Sequence, residues 1–150
     1  MVADLAGDTA NLLRFRDDEA HDEPAVTLDA FLDGQTNAGA VRLEAGDDAR
    51  ALLGHLDRVA LIEVSFPTFR DGRGYSAARI LREAGYLGEL RAAGDVLVDQ
   101  LPLMRRCGFD SFAADAEIDA ATLRRSLSRY DYRYQGAADP VTPVWKLRHG

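Results

Sequence analysis

The sequence contains one cysteine, Cys107, and one lysine, Lys146, among its 150 residues. A single cysteine excludes an intramolecular disulfide, a four-thiolate zinc site and an iron–sulfur cluster held by one chain. No lysine lies near the central motifs, which excludes Schiff-base chemistry there. The histidines, His21, His55 and His149, are scattered without metal-ligand spacing. We therefore expect no metal site, and no cofactor is evident.

Long apolar runs are also missing. None approaches the ~20 residues of a membrane span, and Met1–Leu13 lacks the basic start and apolar centre of a secretory signal. The net charge of −7 argues against nucleic-acid binding and against docking on anionic membranes. We expect a cytoplasmic protein. Because residues 70–106 are rich in arginine, local anion binding remains open.

The composition is that of a globular domain, with 47% hydrophobic and 29% charged residues. A chain of this length buries roughly 68–70% of its unfolded surface without a metal or disulfide. Three regions are predicted: an acidic, loosely ordered arm over residues 1–24, a single α/β domain over 25–135, and an extended tail over 136–150. Leu12, Leu13 and Phe15 would dock the arm, and Tyr132, Tyr134 or Trp145 would pin the end of the chain to the surface.

Short apolar segments alternate with segments of helical periodicity. Strands are predicted over 41–44, 60–66, 89–93 and 109–113. Helices are predicted after Thr27, after Gly46, over 76–85, over 100–107 and after Asp119. This alternation predicts an α/β fold of about four βα units, with a mainly parallel sheet flanked by helices. An open three-layer sandwich and a half-barrel both fit. The open sheet is favoured because the chain is too short for an eight-unit barrel.

The strongest candidate site is the turn Asp71-Gly72-Arg73-Gly74, between a predicted strand and a helix opened by Tyr75 and Ser76. Ligands of parallel α/β folds bind beyond the carboxyl ends of the strands. The glycines would permit positive φ and close backbone approach, the helix start offers free N–H groups, and the guanidinium suits an oxyanion. The simpler interpretation is a tight turn in which the aspartate caps the helix and the arginine is solvated.

A second group of charged residues, Glu89, Arg91 and Asp95, lies around the next predicted strand. If the two strands are adjacent, Arg91 and Asp95 would face the same crevice as Asp71 and Arg73. The candidate acid–base residues are then Asp71, Glu89 and Asp95, with Arg73 and Arg91 as anion ligands. A purely structural Glu89–Arg pair is an equally good interpretation.

The remaining charged residues have structural interpretations. Arg79 and Arg82 are three positions apart on the predicted helix over 76–85, which favours a solvated or partner-facing edge. Arg105 ends the next helix, where a positive charge complements the helix dipole. Cys107 follows at the same helix end, a position that does not activate a thiol, so we expect it to be packed and inert.

The central motifs resemble a bacterial family of unknown function usually described as a probable oxidoreductase involved in sulfite reduction. The resemblance spans roughly residues 25–135. Its densest segments are Phe66-Pro67-Thr68-Phe69-Arg70-Asp71-Gly72-Arg73-Gly74-Tyr75-Ser76, Gly85-Tyr86-Leu87-Gly88-Glu89-Leu90-Arg91-Ala92 and Arg106-Cys107-Gly108-Phe109-Asp110-Ser111-Phe112.

The resemblance implies a pathway more firmly than a reaction, since the family's genes commonly lie beside those of assimilatory sulfite reductase. A redox role has no support in the residues. The turn lacks the third glycine of a dinucleotide fingerprint, and one cysteine cannot hold the cluster that sulfite reductase requires.

Two functions follow as hypotheses. The first is an accessory protein of assimilatory sulfite reduction, which binds the reductase, another sulfur-assimilation protein or a small anion, and which could act as a homodimer. The second is a small enzyme acting on a phosphorylated or sulfonated metabolite.

Overall fold

The computed structural model describes residues 9–21, 23–34 and 37–128, which form a six-stranded sheet and a layer of helices. The strands are β1 Thr9–Arg14, β2 Val26–Thr27, β3 Ala40–Leu43, β4 Leu61–Phe66, β5 Glu89–Gly94 and β6 Ser111–Asp119. The α-helices are α1 Leu28–Leu32, α2 Arg73–Glu83, α3 Leu101–Cys107 and α4 Ala120–Ser128. Short 3₁₀ helices cover Ala49–Leu52, Leu56–Arg58 and Val98–Gln100.

The strand order is β1-β6-β5-β4-β3-β2. Strands β2 to β6 are parallel and neighbours in both sequence and space, whereas β1 pairs antiparallel with β6. The predicted α/β class with a mainly parallel sheet is confirmed. Right-handed crossovers between successive neighbouring strands place their helices on one face of the sheet. The described residues thus form two layers, with the consecutive strand order of a half-barrel and free edges at β1 and β2.

The hydrophobic core lies between the sheet and the helices. In β4, Ile62, Val64 and Phe66 belong to the buried cluster that includes the helix residues, while Glu63 and Ser65 alternate onto the second face. Burial of a side chain as large as that of Phe66 contributes ~1.5–3 kcal/mol relative to exposure. Helix residues in the same cluster include Phe31, Leu52, Ala78, Leu81, Leu101, Met104 and Leu123.

The predicted arm contains an edge strand. In β1, Leu13 is buried, and Phe15, immediately after the strand, is buried against Phe112 with ring centroids 5.8 Å apart. Leu12 points to the second face and stays exposed. The predicted tail over 136–150 lies outside the described residues, and so do Tyr132, Tyr134 and Trp145.

Several predicted elements changed in extent. The helix predicted after Gly46 is instead two 3₁₀ helices, because the Asp48 carboxylate caps a short turn at Arg50 N (3.0 Å) and Gly54 interrupts the apolar stripe. Helix α2 begins at Arg73, three residues earlier than predicted. Strand β6 continues to Asp119, because β1 pairs along it through a bulge. Helices follow Thr27 and Asp119 as predicted, and each of the two side chains accepts a backbone N–H at the helix start.

Candidate functional site

The turn before α2 lies at the carboxyl edge of the sheet, as predicted. Asp71 Oδ1 accepts hydrogen bonds from the backbone N and the Nε of Arg73, both at 3.0 Å, and Oδ2 accepts from Nη2 at 2.6 Å. Asp71 directly precedes the N-cap residue Gly72, and its carboxylate binds the first backbone N–H of α2 and fills the guanidinium fork. These hydrogen bonds from Arg73 lower the pKa of Asp71 to about 2. The Arg73 side chain is 63% exposed and faces water, whereas the Asp71 side chain is 11% exposed.

The two glycines of this turn do not serve the purpose that the sequence suggested. Gly72 has φ −84°, and Gly74 lies within α2, so neither adopts positive φ. A Cβ on Gly74 would overlap the ring of Phe66, whereas one on Gly72 would meet open space. Tyr75 packs edge-on to the same ring, with centroids 5.6 Å apart. Gly74 is therefore required for packing α2 on β4, and the positive-φ prediction is wrong.

The loop after β5 is tied to the loop after β4. Asp95 Oδ2 accepts the backbone N–H of Phe69 at 2.9 Å, and Gln100 Nε2 donates to the Phe69 carbonyl at 2.7 Å. Gln100 Oε1 also accepts the N–H of Leu97 at 3.1 Å. Both backbone groups of Phe69 are thereby fixed from the neighbouring loop. The Phe69 ring remains 36% exposed, with the guanidinium carbon of Arg70 at 5.4 Å from its centroid.

The structure does not bring the other two candidates to this edge. Glu89 begins β5 and lies six residues before Asp95, about 20 Å away at the rise of a strand. Its carboxylate pairs with Arg14 Nη2 and with Arg91 Nη2, both at 2.8 Å. Arg91 also donates to Ser111 Oγ at 3.2 Å. Arg91 and Arg73 therefore belong to two separate groups and do not line the one crevice that the sequence predicted. The contacts of Glu89 and Arg91 agree with the structural interpretation of a Glu89–Arg pair.

A buried charge cluster at the amino edge was missed by the sequence reasoning. The Arg82 side chain is 2% exposed and pairs with Asp110, which is 0% exposed, at 3.0 Å. Arg82 also donates to the carbonyls of Gly108, Tyr86 and Gly88 at 2.8–2.9 Å. The prediction that Arg82 is solvated is wrong, because every nitrogen of its guanidinium donates to a group inside the protein.

Asp110 connects this cluster to the sheet. Its Oδ1 accepts the N–H of Leu90 at 2.8 Å, and its Oδ2 accepts from Arg16 Nη1 at 2.7 Å. The cluster joins β1, α2, β5 and the loop before β6. The residues Gly85–Ala92 and Arg106–Phe112, which carry much of the family resemblance, lie around it. This part of the resemblance reflects a structural requirement of the amino edge.

Four groups have pKa values shifted away from neutrality: Asp71, Glu89, Tyr86 and Cys107. Burial would raise the pKa of Glu89, but hydrogen bonds from Arg14, Ser111 and Arg91 lower it overall. Burial raises the pKa of Tyr86 and of the Cys107 thiol, as the packed, inert interpretation of Cys107 predicts. General acid–base catalysis works best with a pKa near the operating pH. These groups are better suited to fixed charge and hydrogen bonding than to proton transfer.

Within residues 9–21, 23–34 and 37–128, no group of three or more His, Cys, Asp or Glu side chains is arranged to hold a metal ion. Over the same ranges, no helix has the length and apolarity needed to cross a bilayer.

The described residues define a small α/β domain. At its carboxyl edge the loops after β4 and β5 are hydrogen-bonded to each other, and at its amino edge lies the buried charge cluster. Residues 40–145 match the family described as Bacterial protein of unknown function (DUF934), and the chain belongs to this family. The match begins at β3, later than the predicted boundary at residue 25, and ends later than residue 135. Comparison with curated proteins and with solved structures found no match.

Proposed function

We propose that this protein is a cytoplasmic accessory protein of assimilatory sulfite reduction, which binds the reductase or a small anion at its carboxyl edge. The pathway is supported by the resemblance to the sulfite-reduction family. The binding role is supported by one observation: the backbone of Phe69 is fixed at both its N–H and its carbonyl, while its ring, Arg70 and Arg73 face outward. A rigid apolar and cationic surface suits recognition, because little conformational entropy is lost on binding.

Anion binding at this edge requires Arg73 to exchange partners. Its fork is filled by Asp71 in the free protein. The Arg73 side chain is 63% exposed, against 11% for Asp71, so a competing oxyanion can reach the guanidinium from solvent. Sulfite or sulfate would take the guanidinium fork at the start of α2, where the helix dipole favours negative charge. Arg91 is not part of this site, because it is paired with Glu89 on the sheet.

The alternative, an enzyme for a phosphorylated or sulfonated metabolite, has less support. It needs a proton-transfer group, and the candidates are engaged elsewhere. Asp71 stays ionised because of its low pKa, Glu89 is bound by two arginines, and Asp95 holds the Phe69 N–H. The binding function is therefore the better supported of the two, and it includes no oxidoreductase reaction.

Binding can be measured with the full-length protein, purified sulfite reductase, sulfite and sulfate. We expect either the reductase to bind or an anion to raise the unfolding temperature. A ligand at 100 times its Kd stabilises by about 2.7 kcal/mol. Arg73→Ala should weaken either interaction at least tenfold. Arg79→Ala is the matched control, since Arg79 is an exposed arginine on the same helix. Absence of binding by the reductase and by both anions would contradict the proposal.

A further inference from the structure

An apolar patch lies at the carboxyl edge of the sheet. Its first two members, Phe69 and Leu97, are 36% and 42% exposed. The side chain of Gln100 joins them, because it donates to the Phe69 carbonyl at 2.7 Å and accepts the Leu97 N–H at 3.1 Å. Leu103, three residues after Gln100 and so on the same side of the helical segment, is 46% exposed. Single exposed apolar side chains are ordinary, whereas neighbouring ones mark a contact surface. We call Phe69, Leu97 and Leu103 the apolar patch.

The chain leaves α4 beside this patch. Ser126, buried in the last turn of α4, donates its hydroxyl to the carbonyl of Val98 at 3.0 Å, and Val98 directly follows Leu97. Helix α4 ends at Ser128, the last residue that the structure describes. A chain spans at most about 3.6 Å per residue, so Tyr130 lies within about 14 Å of Ser126. The residues that directly follow α4 therefore begin at the carboxyl edge.

The sequence after α4 has a period of two. It reads Arg129-Tyr130-Asp131-Tyr132-Arg133-Tyr134-Gln135. In an extended chain alternate side chains point to opposite sides, so the three tyrosines would share one side and the charged residues the other. A tyrosine ring buries about 150–250 Å² and can keep its hydroxyl in water. The family match continues past Ser128 to residue 145, so this segment belongs to the same domain as the sheet.

We propose that residues 129–135 dock on the apolar patch of the same chain, with their tyrosines against Phe69 and Leu97. The amino edge offers a more exposed leucine, Leu87 at 77%, but it lies at the other end of β5, which is about 17–20 Å long. That distance is beyond the reach of Tyr130. A partner that uses the Phe69 ring must then displace the segment. This consequence rests on the proposed function, whereas the docking itself does not.

Tryptophan fluorescence of the full-length protein tests whether the segment is docked. When Tyr132→Trp is combined with Trp145→Phe, position 132 carries the only tryptophan of the chain. We expect its emission to be blue-shifted and shielded from acrylamide, and adding Leu97→Arg should raise the quenching constant severalfold. Leu87→Arg is the matched control, since Leu87 is the more exposed leucine, and it should leave the constant unchanged. A tryptophan quenched as readily as in urea-unfolded protein, or equal effects of the two arginine variants, would overturn the proposal.

A cross-link establishes where the segment lies and on which copy of the chain. A short bismaleimide should join Leu97→Cys to Tyr132→Cys within one chain severalfold faster than it joins Leu87→Cys to Tyr132→Cys. The buried Cys107 should stay unmodified in both. Equal rates for the two pairs would contradict the docking site. A product of twice the mass would place the segment on a second copy and overturn its assignment to the same chain. Neither experiment uses sulfite, sulfate or the reductase, so a failure of the proposed function does not alter their outcome.

Discussion

Replacing Asp110 by alanine tests the buried cluster most severely. The carboxylate accepts the N–H of Leu90 at 2.8 Å, and hydrogen bonds from Arg16 at 2.7 Å and Arg82 at 3.0 Å. Asp110 is 0% exposed and the Arg82 side chain 2% exposed. Asp110→Ala therefore leaves a guanidinium group buried without its counter-charge, and a backbone N–H without its acceptor.

The size of the effect follows from these two losses. Removing one partner of a buried ion pair costs about 3–5 kcal/mol, and an unsatisfied buried donor costs about 1–3 kcal/mol. Arg82 keeps its hydrogen bonds to three carbonyls, which partly offset the loss. We expect Asp110→Ala to lower the free energy of unfolding by about 3–5 kcal/mol. Domains of this size have only about 5–15 kcal/mol in total.

Urea unfolding followed by far-ultraviolet circular dichroism measures this change. The midpoint should fall while the slope m is unchanged, since the same surface is exposed on unfolding. Asp57→Ala is the control, because Asp57 is an exposed aspartate and its loss should change stability by about 0.5 kcal/mol or less. A loss below about 1 kcal/mol for Asp110→Ala would refute the reasoning, because it would mean that the cluster is not desolvated.

Three further predictions follow from the geometry. Gly74→Ala should destabilise the fold by about 1–3 kcal/mol, because its Cβ overlaps the Phe66 ring. Gly72→Ala should change the free energy of unfolding by no more than about 0.5 kcal/mol. Alanine is a weaker N-cap than glycine but also restricts the unfolded chain, and these two effects oppose each other. Equal unfolding midpoints for Gly74→Ala and Gly72→Ala would contradict this contrast. The lowered pKa of Glu89 stabilises the fold above the unfolded value of about 4.3, and this stability is lost as pH falls through the folded pKa. In Glu89→Gln the free energy of unfolding should therefore fall less steeply as the pH is lowered. A fall as steep as that of the natural protein would refute this prediction. The buried Cys107 thiol, with its raised pKa, should react with thiol reagents at neutral pH only after unfolding; rapid labelling of the folded protein would be inconsistent with that.

The alternation of strands and helices was predictable because it depends on local periodicity. The apolar run of β4 and the helix α2 are examples. Gly85, just after α2, has a φ of 97°, which is typical of a glycine that ends a helix. The turn at Asp71 was also placed at the correct end of a strand. The hydrogen bond from the first N–H of α2 to its aspartate agrees with one of the two interpretations that the sequence allowed.

The separation of Glu89 from Asp95 was not predicted, although the sequence contained the information for it. The first and last residues of a strand lie at opposite edges of the sheet, so Glu89 and Asp95 are close in sequence but far apart in space. Strand direction and length were available in the sequence and would have separated the two. Because Glu89 opens β5, it could not face a crevice at the carboxyl edge.

The burial of Arg82 depends on contacts that no local pattern contains. Its partner Asp110 lies 28 residues further along the chain. The available indication was position: Arg82 lies next to Leu81 and four residues after Ala78, both buried on the inner face of α2. An arginine near that face is either solvated at the edge or paired inside, and only tertiary packing decides between the two.

The most direct test of the proposed function is growth of a strain that lacks the gene. We predict that the deletion strain grows with sulfide as its only sulfur source and fails with sulfate or sulfite. Complementation with the natural gene or with Arg79→Ala should restore growth on sulfite, and Arg73→Ala should not. Normal growth of the deletion strain on sulfite would contradict a role in sulfite reduction. Full rescue by Arg73→Ala would contradict a binding role for the carboxyl edge.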